Sequence, residues 1–327
     1  MIELLNLPAT DRPAAGARGA HPGEEDWTGD YHPDPGFFHG LSCPFGSLDL
    51  EVRVADASAR LHGLSSRQRA DLAARYGIFA RPVAGAAVDV EVDLHRSPRP
   101  GFLKVGRAAK AEAYRLLMRR EEGKLLAWSY EWASCCDFAA GRATLAIGDD
   151  ERTVFDRSIE NFLRVVFAHL ALARGGFLLH GSGVVRDGRA FVFFGPSGSG
   201  KTTVTTLSKG SLVLSDDLIL IARSGAGRFE ACSVPFRGLV TPPATSDARY
   251  PLAGMFRLVQ DERDYLEEIS RPRAIGEIVQ SLPFVTERPE ATARALDAVG
   301  DLAGQVPVRR LHFRKDAEFW RIVENVR

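Results

Sequence analysis

The run Phe191-Val-Phe-Phe-Gly195-Pro-Ser-Gly-Ser-Gly200-Lys201-Thr202-Thr203 limits what this chain can fold into more than any other segment. Its four apolar residues predict a buried strand, and the glycines at 195, 198 and 200 then let the backbone bend so that successive N–H groups point inward. Such a nest suits phosphate oxygens, and larger side chains would crowd it. Lys201 is placed to reach β- and γ-phosphates, and the Thr202 hydroxyl to ligate Mg²⁺. A helix predicted over 201–207 aims its positive dipole end at the same anion. Gly195, Pro196, Ser197, Gly198, Ser199, Gly200, Lys201, Thr202 and Thr203 are therefore the expected triphosphate-binding residues. The motif requires a strand before it and a helix after it, and the flanking sequence supplies both patterns.

A chain of 327 residues is longer than most single domains, so two are expected. Lysine plus arginine equals aspartate plus glutamate at 42 each, so no global field recruits nucleic acid or an anionic membrane, and phosphate affinity must be local. No stretch approaches the roughly 18 apolar residues of a spanning helix. Met1-Ile-Glu-Leu-Leu lacks the basic start of a secretion signal, and a cytoplasmic location is expected. Cys43, Cys135, Cys136 and Cys232 lack metal-ligand spacing and read as buried small apolar residues.

Three regions follow: a flexible arm over 1–40, rich in Pro and Gly; a small α+β domain over 41–150; and a nucleotide-binding domain over 151–327. In the second, strands are predicted at 48–54, 88–94, 124–132 and 143–147, with helices at 65–76 and 108–120. Trp128, Tyr130 and Trp132 then share one strand face. An amphipathic helix carries Phe155, Ile159, Phe162, Val166 and Leu170 and ends at Gly175-Gly176, with Glu160 and Arg164 paired on its outer side. Beyond it, strands are expected at 177–180, 183–186, 189–194, 211–214 and 308–314, a hairpin over 218–233, and helices at 273–282, 289–303 and 316–326.

Asp216-Asp217 ends an apolar strand 15 positions after Lys201, leaving room for one helix and one strand. One carboxylate can hold Mg²⁺ while the other takes a proton from an attacking hydroxyl, the assignment between them staying open. Leu179-His180-Gly181, the Gly-x-x-Gly-x-Gly-Lys-Thr-Thr loop and Leu-Ser-Asp-Asp together resemble the HPr serine kinase and phosphoenolpyruvate carboxykinase superfamily, over residues 155–327, and most of all its HPr-kinase-related members. The resemblance implies an α/β fold with a P-loop, HPr-kinase/carboxykinase-like mixed-sheet core and a smaller N-terminal α+β domain. It implies ATP on residues 195–203 and Mg²⁺ on Thr202 with Asp216 or Asp217. It sets His180 near the phosphates, although a packed strand-end histidine reads equally well, and it gives Arg237 of Phe-Arg-Gly-Leu a charge-neutralising role. Pro196 and Thr202-Thr203 depart from the HPr kinase pattern, and residues 1–150 match neither branch.

The expected activity is a Mg-ATP-dependent kinase moving the γ-phosphoryl group to a hydroxyl of a protein, peptide or metabolite. The competing expectations are a carboxykinase-like enzyme and a non-catalytic nucleotide-binding regulatory module. Neither a nucleic-acid nor a membrane partner is expected, and kinship with hexameric HPr kinases hints at a homo-oligomer.

Overall fold

Strand-forming residues dominate both halves of the chain and assemble into two large mixed sheets with a few helices, a mixed α/β architecture. The computed structural model describes residues 2–6, 30–83, 85–99, 101–103, 114–148, 154–236, 238, 247–285 and 289–326. Two compact units divide it, the first comprising Met1–Val52, Ser58–Ala73 and Arg81–Leu163, the second Arg53–Ala57, Ala74–Ala80 and Arg164–Arg327.

The first unit is carried by nine strands: β1 (Ile2–Asn6), β2 (Leu48–Val54), β3 (Ala57–Leu64), β4 (Ala80–Arg81), β5 (Val90–Arg96), β6 (Tyr114–Glu121), β7 (Lys124–Trp128), β8 (Trp132–Asp137) and β9 (Arg142–Ile147). Their order is β1-β6-β7-β8-β9-β5-β3-β2-β4. Helix α1 (Pro35–His39) lies inside the segment expected as an arm; the Asp34 side chain accepts from the Phe37 N–H and Phe38 is buried. Residues 7–29 of that segment lie outside the described residues. Helix α2 (Ser66–Tyr76) begins with a reciprocal cap, since Gln68 N–H donates to Ser65 Oγ and Ser65 N–H to Gln68 Oε1.

Two readings of this region are corrected. The helix expected over 108–120 falls partly outside the described residues, and 114–121 is strand β6. Glu122 and Gly123, with φ of 50° and 81°, close a two-residue hairpin that pairs Glu121 with Lys124, and this pairing overrides local helical spacing. The strand expected over 124–132 breaks in two, because Ser129 N–H bonds Trp132 O across a turn. Trp128 and Trp132 thus sit on adjacent strands, and Tyr130 lies in the turn.

Helix α3 (Phe155–Ala173) precedes the second sheet, built from β10 (Phe177–Arg186), β11 (Arg189–Phe194), β12 (Leu212–Ser215), β13 (Leu218–Arg223), β14 (Phe229–Cys232), β15 (Arg249–Gln260), β16 (Tyr265–Glu268) and β17 (Val308–Phe313). Helices α4 (Lys201–Leu207), α5 (Arg271–Val279), α6 (Pro289–Ala303) and α7 (Trp320–Val323) complete it. Two expected strands merge into β10, whose first half pairs with β13 and second half with β11. Strand β15 likewise pairs with β14, then β11, then β17. Strands β11, β10, β13, β14 and β15 therefore close a circuit. In the same sheet β11, β15 and β17 run parallel, so their carboxyl ends share one edge, the edge at which such sheets bind ligands.

One sheet face is a dense aromatic core: Phe191, Phe193, Phe256, Leu258, Leu311 and Phe313 enclose Val204 of α4 together with Phe319 and Trp320. Trp320 meets the rings of Phe191 and Phe193 edge-on at 5.5 and 5.6 Å, and its indole N–H donates to Ser208 Oγ at 3.1 Å. The helix that follows the glycine loop is anchored by that bond. Cys136 and Cys232 are buried, and burial pushes both thiols up to about 12; Cys135 is half-buried. Cys43 is exposed, contrary to the sequence expectation, because it falls in a loop before β2. Among the described residues no helix is long and apolar enough to cross a membrane.

Candidate functional site

Strand β11 ends at Phe194 and opens into the glycine loop at the carboxyl edge of the parallel strands. Gly195, Gly198 and Gly200 have φ of 148°, 80° and 110°, all in the region that only glycine adopts freely. Two of them also lack room for a side chain. A Cβ on Gly195 would stand 2.9 Å from Ser199 Oγ, and one on Gly200 2.7 Å from the Phe313 ring. Pro196, Ser197 and Gly198 form the exposed tip, while Thr202 and Thr203 in the first turn of α4 are half-buried. The tip is braced from β15, where Gln260 Nε2 donates to Gly198 O at 2.6 Å.

Lys201 is buried, and its ammonium lies in the loop's own concavity, donating to Gly195 O at 2.8 Å and Pro196 O at 3.1 Å. Burial lowers its pKa from the ordinary 10.5, and the charge of Asp217 works against that shift. Ser199 Oγ is buried without a hydrogen-bond partner, and Thr202 Oγ1 makes no hydrogen bond among the described residues. A glycine cradle, a buried cation and two uncommitted hydroxyls fit a polyphosphate with an associated divalent cation.

Facing Lys201 is a cluster centred on Asp217. His180 Nδ1 lies 3.2 Å from Asp217 Oδ1, and Arg164 Nη2 lies 3.5 Å from Oδ2. Backbone contacts fix the arrangement: Gly181 N–H donates to Asp217 O at 3.0 Å, and His180 N–H to Ser281 O at 2.9 Å. Burial favours the neutral Asp217 carboxyl, but the His180 hydrogen bond and the charges of Arg164, His180 and Lys201 prevail and hold it below the ordinary 3.8. Asp217 is therefore a carboxylate at neutral pH.

The two adjacent aspartates differ sharply. Asp216 is 4% exposed, and Gly238 lies so near that a Cβ there would stand 1.8 Å from Asp216 Oδ1. Asp217 is the one that faces Lys201. Arg237 falls outside the described residues. The arginine next to this segment is Arg164, whose guanidinium lies 5.6 Å from the centre of the Phe236 ring. The expected outer-face placement of Glu160 and Arg164 is thus corrected: Glu160 is buried, the Arg164 side chain is 11% exposed, and Arg164 points to Asp217. Part of the signal was present in the sequence, since Phe162, Leu163, Val165, Val166, Phe167 and Ala168 around Arg164 in α3 are apolar and a cation buried among them needs a counter-charge.

Among the described residues no three His, Cys, Asp or Glu side chains gather as a metal-binding group. A separate apolar cleft is lined by Phe167, Leu178, Leu220, Ile221 and Val234, and no glycine-loop residue lines it.

Comparison with known families corrects the resemblance to HPr kinases and carboxykinases. The family that matches is described as the SynChlorMet cassette protein ScmC, over residues 148–327, which include the loop, Asp216-Asp217 and His180. The matching residues that suggested the other superfamily are few. A glycine nest and a strand-end carboxylate answer a physical need that any phosphate site has, so they do not separate one such family from another. Among curated proteins, none matches the chain. The match spans more than half of the sequence, and the chain belongs to the ScmC family.

Proposed function

We propose that this protein is a Mg-ATP-dependent phosphotransferase that moves the γ-phosphoryl group to a hydroxyl, and that its second unit is a P-loop phosphotransferase core. The observation that carries this reading is the opposition of the Lys201-filled glycine loop and the ionised Asp217 with His180 and Arg164, at the carboxyl edge of three parallel strands. A bare phosphate-binding loop needs no proton acceptor, and here one stands across from it.

Bound Mg-ATP would supply the phosphoryl group and a leaving ADP, with the backbone N–H groups of residues 195–203 and the Lys201 ammonium holding the phosphates and Thr202 Oγ1 offered to Mg²⁺. Asp217 accepts from His180 Nδ1–H and so makes Nε2 the basic nitrogen, which takes the proton of the acceptor hydroxyl as the new P–O bond forms and the bond to ADP breaks. Arg164 keeps Asp217 ionised throughout. Asp216, sealed against Gly238, takes no part in this chemistry. Most of the rate comes from positioning and charge, as phosphoryl transfer asks little covalent chemistry of a protein. The same reading puts the protein in the cytoplasm, where ATP and Mg²⁺ are abundant.

The test is transfer of labelled γ-phosphate to fractionated cell extract. Wild-type protein should label a discrete acceptor, Asp217→Asn should lower the rate at least about a hundredfold, and Asp216→Asn should lower it far less. ATP that binds but is neither consumed nor transferred across all fractions would sink the proposal.

A further inference from the structure

Three guanidiniums converge on one carboxylate beside the loop. Glu277 of α5, its side chain 10% exposed, receives Arg310 through Nη2 and through Nε at 3.1 Å, Arg273 Nε at 3.4 Å, and Arg257 Nε at 3.5 Å. Among the described residues the one further carboxylate paired with these arginines is Glu267, which lies 3.6 Å from Arg310 Nη1 and is shared with His312 at 3.1 Å. Positive charge is thus in excess. Arg257 is the most exposed in its need: Glu277 is its sole ion-pair partner among the described residues, and both of its Nη groups are uncommitted on a side chain 24% exposed.

Strand register shows where this cluster stands. Gly181 pairs with Phe194, Phe194 with Arg257 and Arg257 with Arg310, forming one row across four strands about 4.8 Å apart. That row passes through Phe194, one residue before Gly195, and begins at Gly181, one residue after His180. Helix α5 ties the two groups together from above, since Ser281 O accepts from His180 N–H and Ser281 Oγ donates to Glu277 O at 3.3 Å. The arginines and the His180–Asp217 pair therefore flank the same end of β11.

We infer that Arg257, Arg310 and Arg273 bind a carboxylate carried by the phosphoryl acceptor, so that the substrate is an anionic hydroxyl compound. The inference rests on the phosphotransferase reading and adds the acceptor's class to it. A carboxylate is specified because the cluster already seats one, Glu277, and because guanidinium forks match carboxylate geometry. The chain carries no net charge, so affinity for an anion has to come from a local excess such as this.

Calorimetric titration of the full chain with malonate, alongside titration with Mg-ATP, tests it. Wild-type protein should bind malonate; Arg257→Gln and Arg310→Gln should weaken that binding about tenfold each, the loss of one charge-assisted contact, while ATP affinity stays within about twofold. Glu277→Gln removes the internal competitor and should tighten malonate binding, a gain that simple damage to the fold cannot produce. Lys201→Ala should weaken ATP binding about a hundredfold and leave malonate binding intact, which separates this inference from the nucleotide reading. Should an arginine variant fail to fold, the exposed Arg273→Gln replaces it. The inference is overturned if wild-type protein ignores malonate, if Glu277→Gln binds it more weakly, or if the arginine variants lose ATP instead.

Discussion

Lys201 allows the sharpest test of the proposed nucleotide site, because that reading gives its ammonium different partners with and without ATP. In the empty protein its ammonium is desolvated, which works against the charged form, while two short bonds to the carbonyls of Gly195 and Pro196 offset that penalty. Lys201→Ala should thus change the stability of the free protein by under about 1 kcal/mol. On the proposed function the same ammonium would have phosphate as partner once ATP binds, and its loss should cost about 2.7 kcal/mol, a hundredfold in Kd. At ATP one hundred times the wild-type Kd, linkage gives about 2.7 kcal/mol of stabilisation to the wild type and about 0.4 kcal/mol to the variant. For a unit of this size these translate into Tm increases of about 5–11 °C and about 1–2 °C. Thermal unfolding with and without Mg-ATP reads both values. A variant that keeps the full ATP-induced increase, or whose free form melts many degrees lower, would refute the reasoning about what the lysine does.

Asp217→Asn should destabilise by about 2 kcal/mol near neutral pH, less than a fully buried pair because the side chain is 29% exposed. Since the folded-state pKa lies below the ordinary 3.8, the carboxylate's contribution is complete above pH 3.8 and fades as pH falls through the lower folded value, so urea midpoints of wild type and variant should converge only below that pH; a gap unchanged at the acid end contradicts this. A double-mutant cycle between Trp320→Phe and Ser208→Ala should give a coupling of about 1 kcal/mol in chemical denaturation, reflecting the indole N–H bond that anchors α4, and a coupling near zero would mean the bond contributes nothing.

Local chemistry was readable where a few adjacent residues carry it. The glycine loop, β11 and the hairpin of β13 and β14 follow from runs whose turn residues and apolar patterns agree. Strand β15 escaped notice because Pro251 and Gly254 interrupt its pattern. Pro251 is tolerated near the end of the β14 pairing, and the register shifts between Ala190 and Phe191 beside Gly254, so the strand is continuous only because its neighbours hold it. The carboxylate at Asp217 was legible as a strand end, whereas its partners were not. Arg164 lies on α3 and Glu277 on α5, and nothing in their own neighbourhoods states that the fold brings each to the end of β11. The misassigned superfamily has the same origin, since a glycine turn, a lysine and a strand-end carboxylate are too short a pattern to record descent.

The contact between Gly200 and Phe313 has a consequence for synthesis. The glycine loop is synthesised before the ring that fits against it, before β15, which pairs with the loop's own strand β11, and before β17, which pairs with β15. A nascent chain therefore carries the glycines and lysine without the shape they require. On the proposed function, ATP affinity would appear only once Phe313 and Trp320 have emerged, tying nucleotide binding to the folding of the second unit.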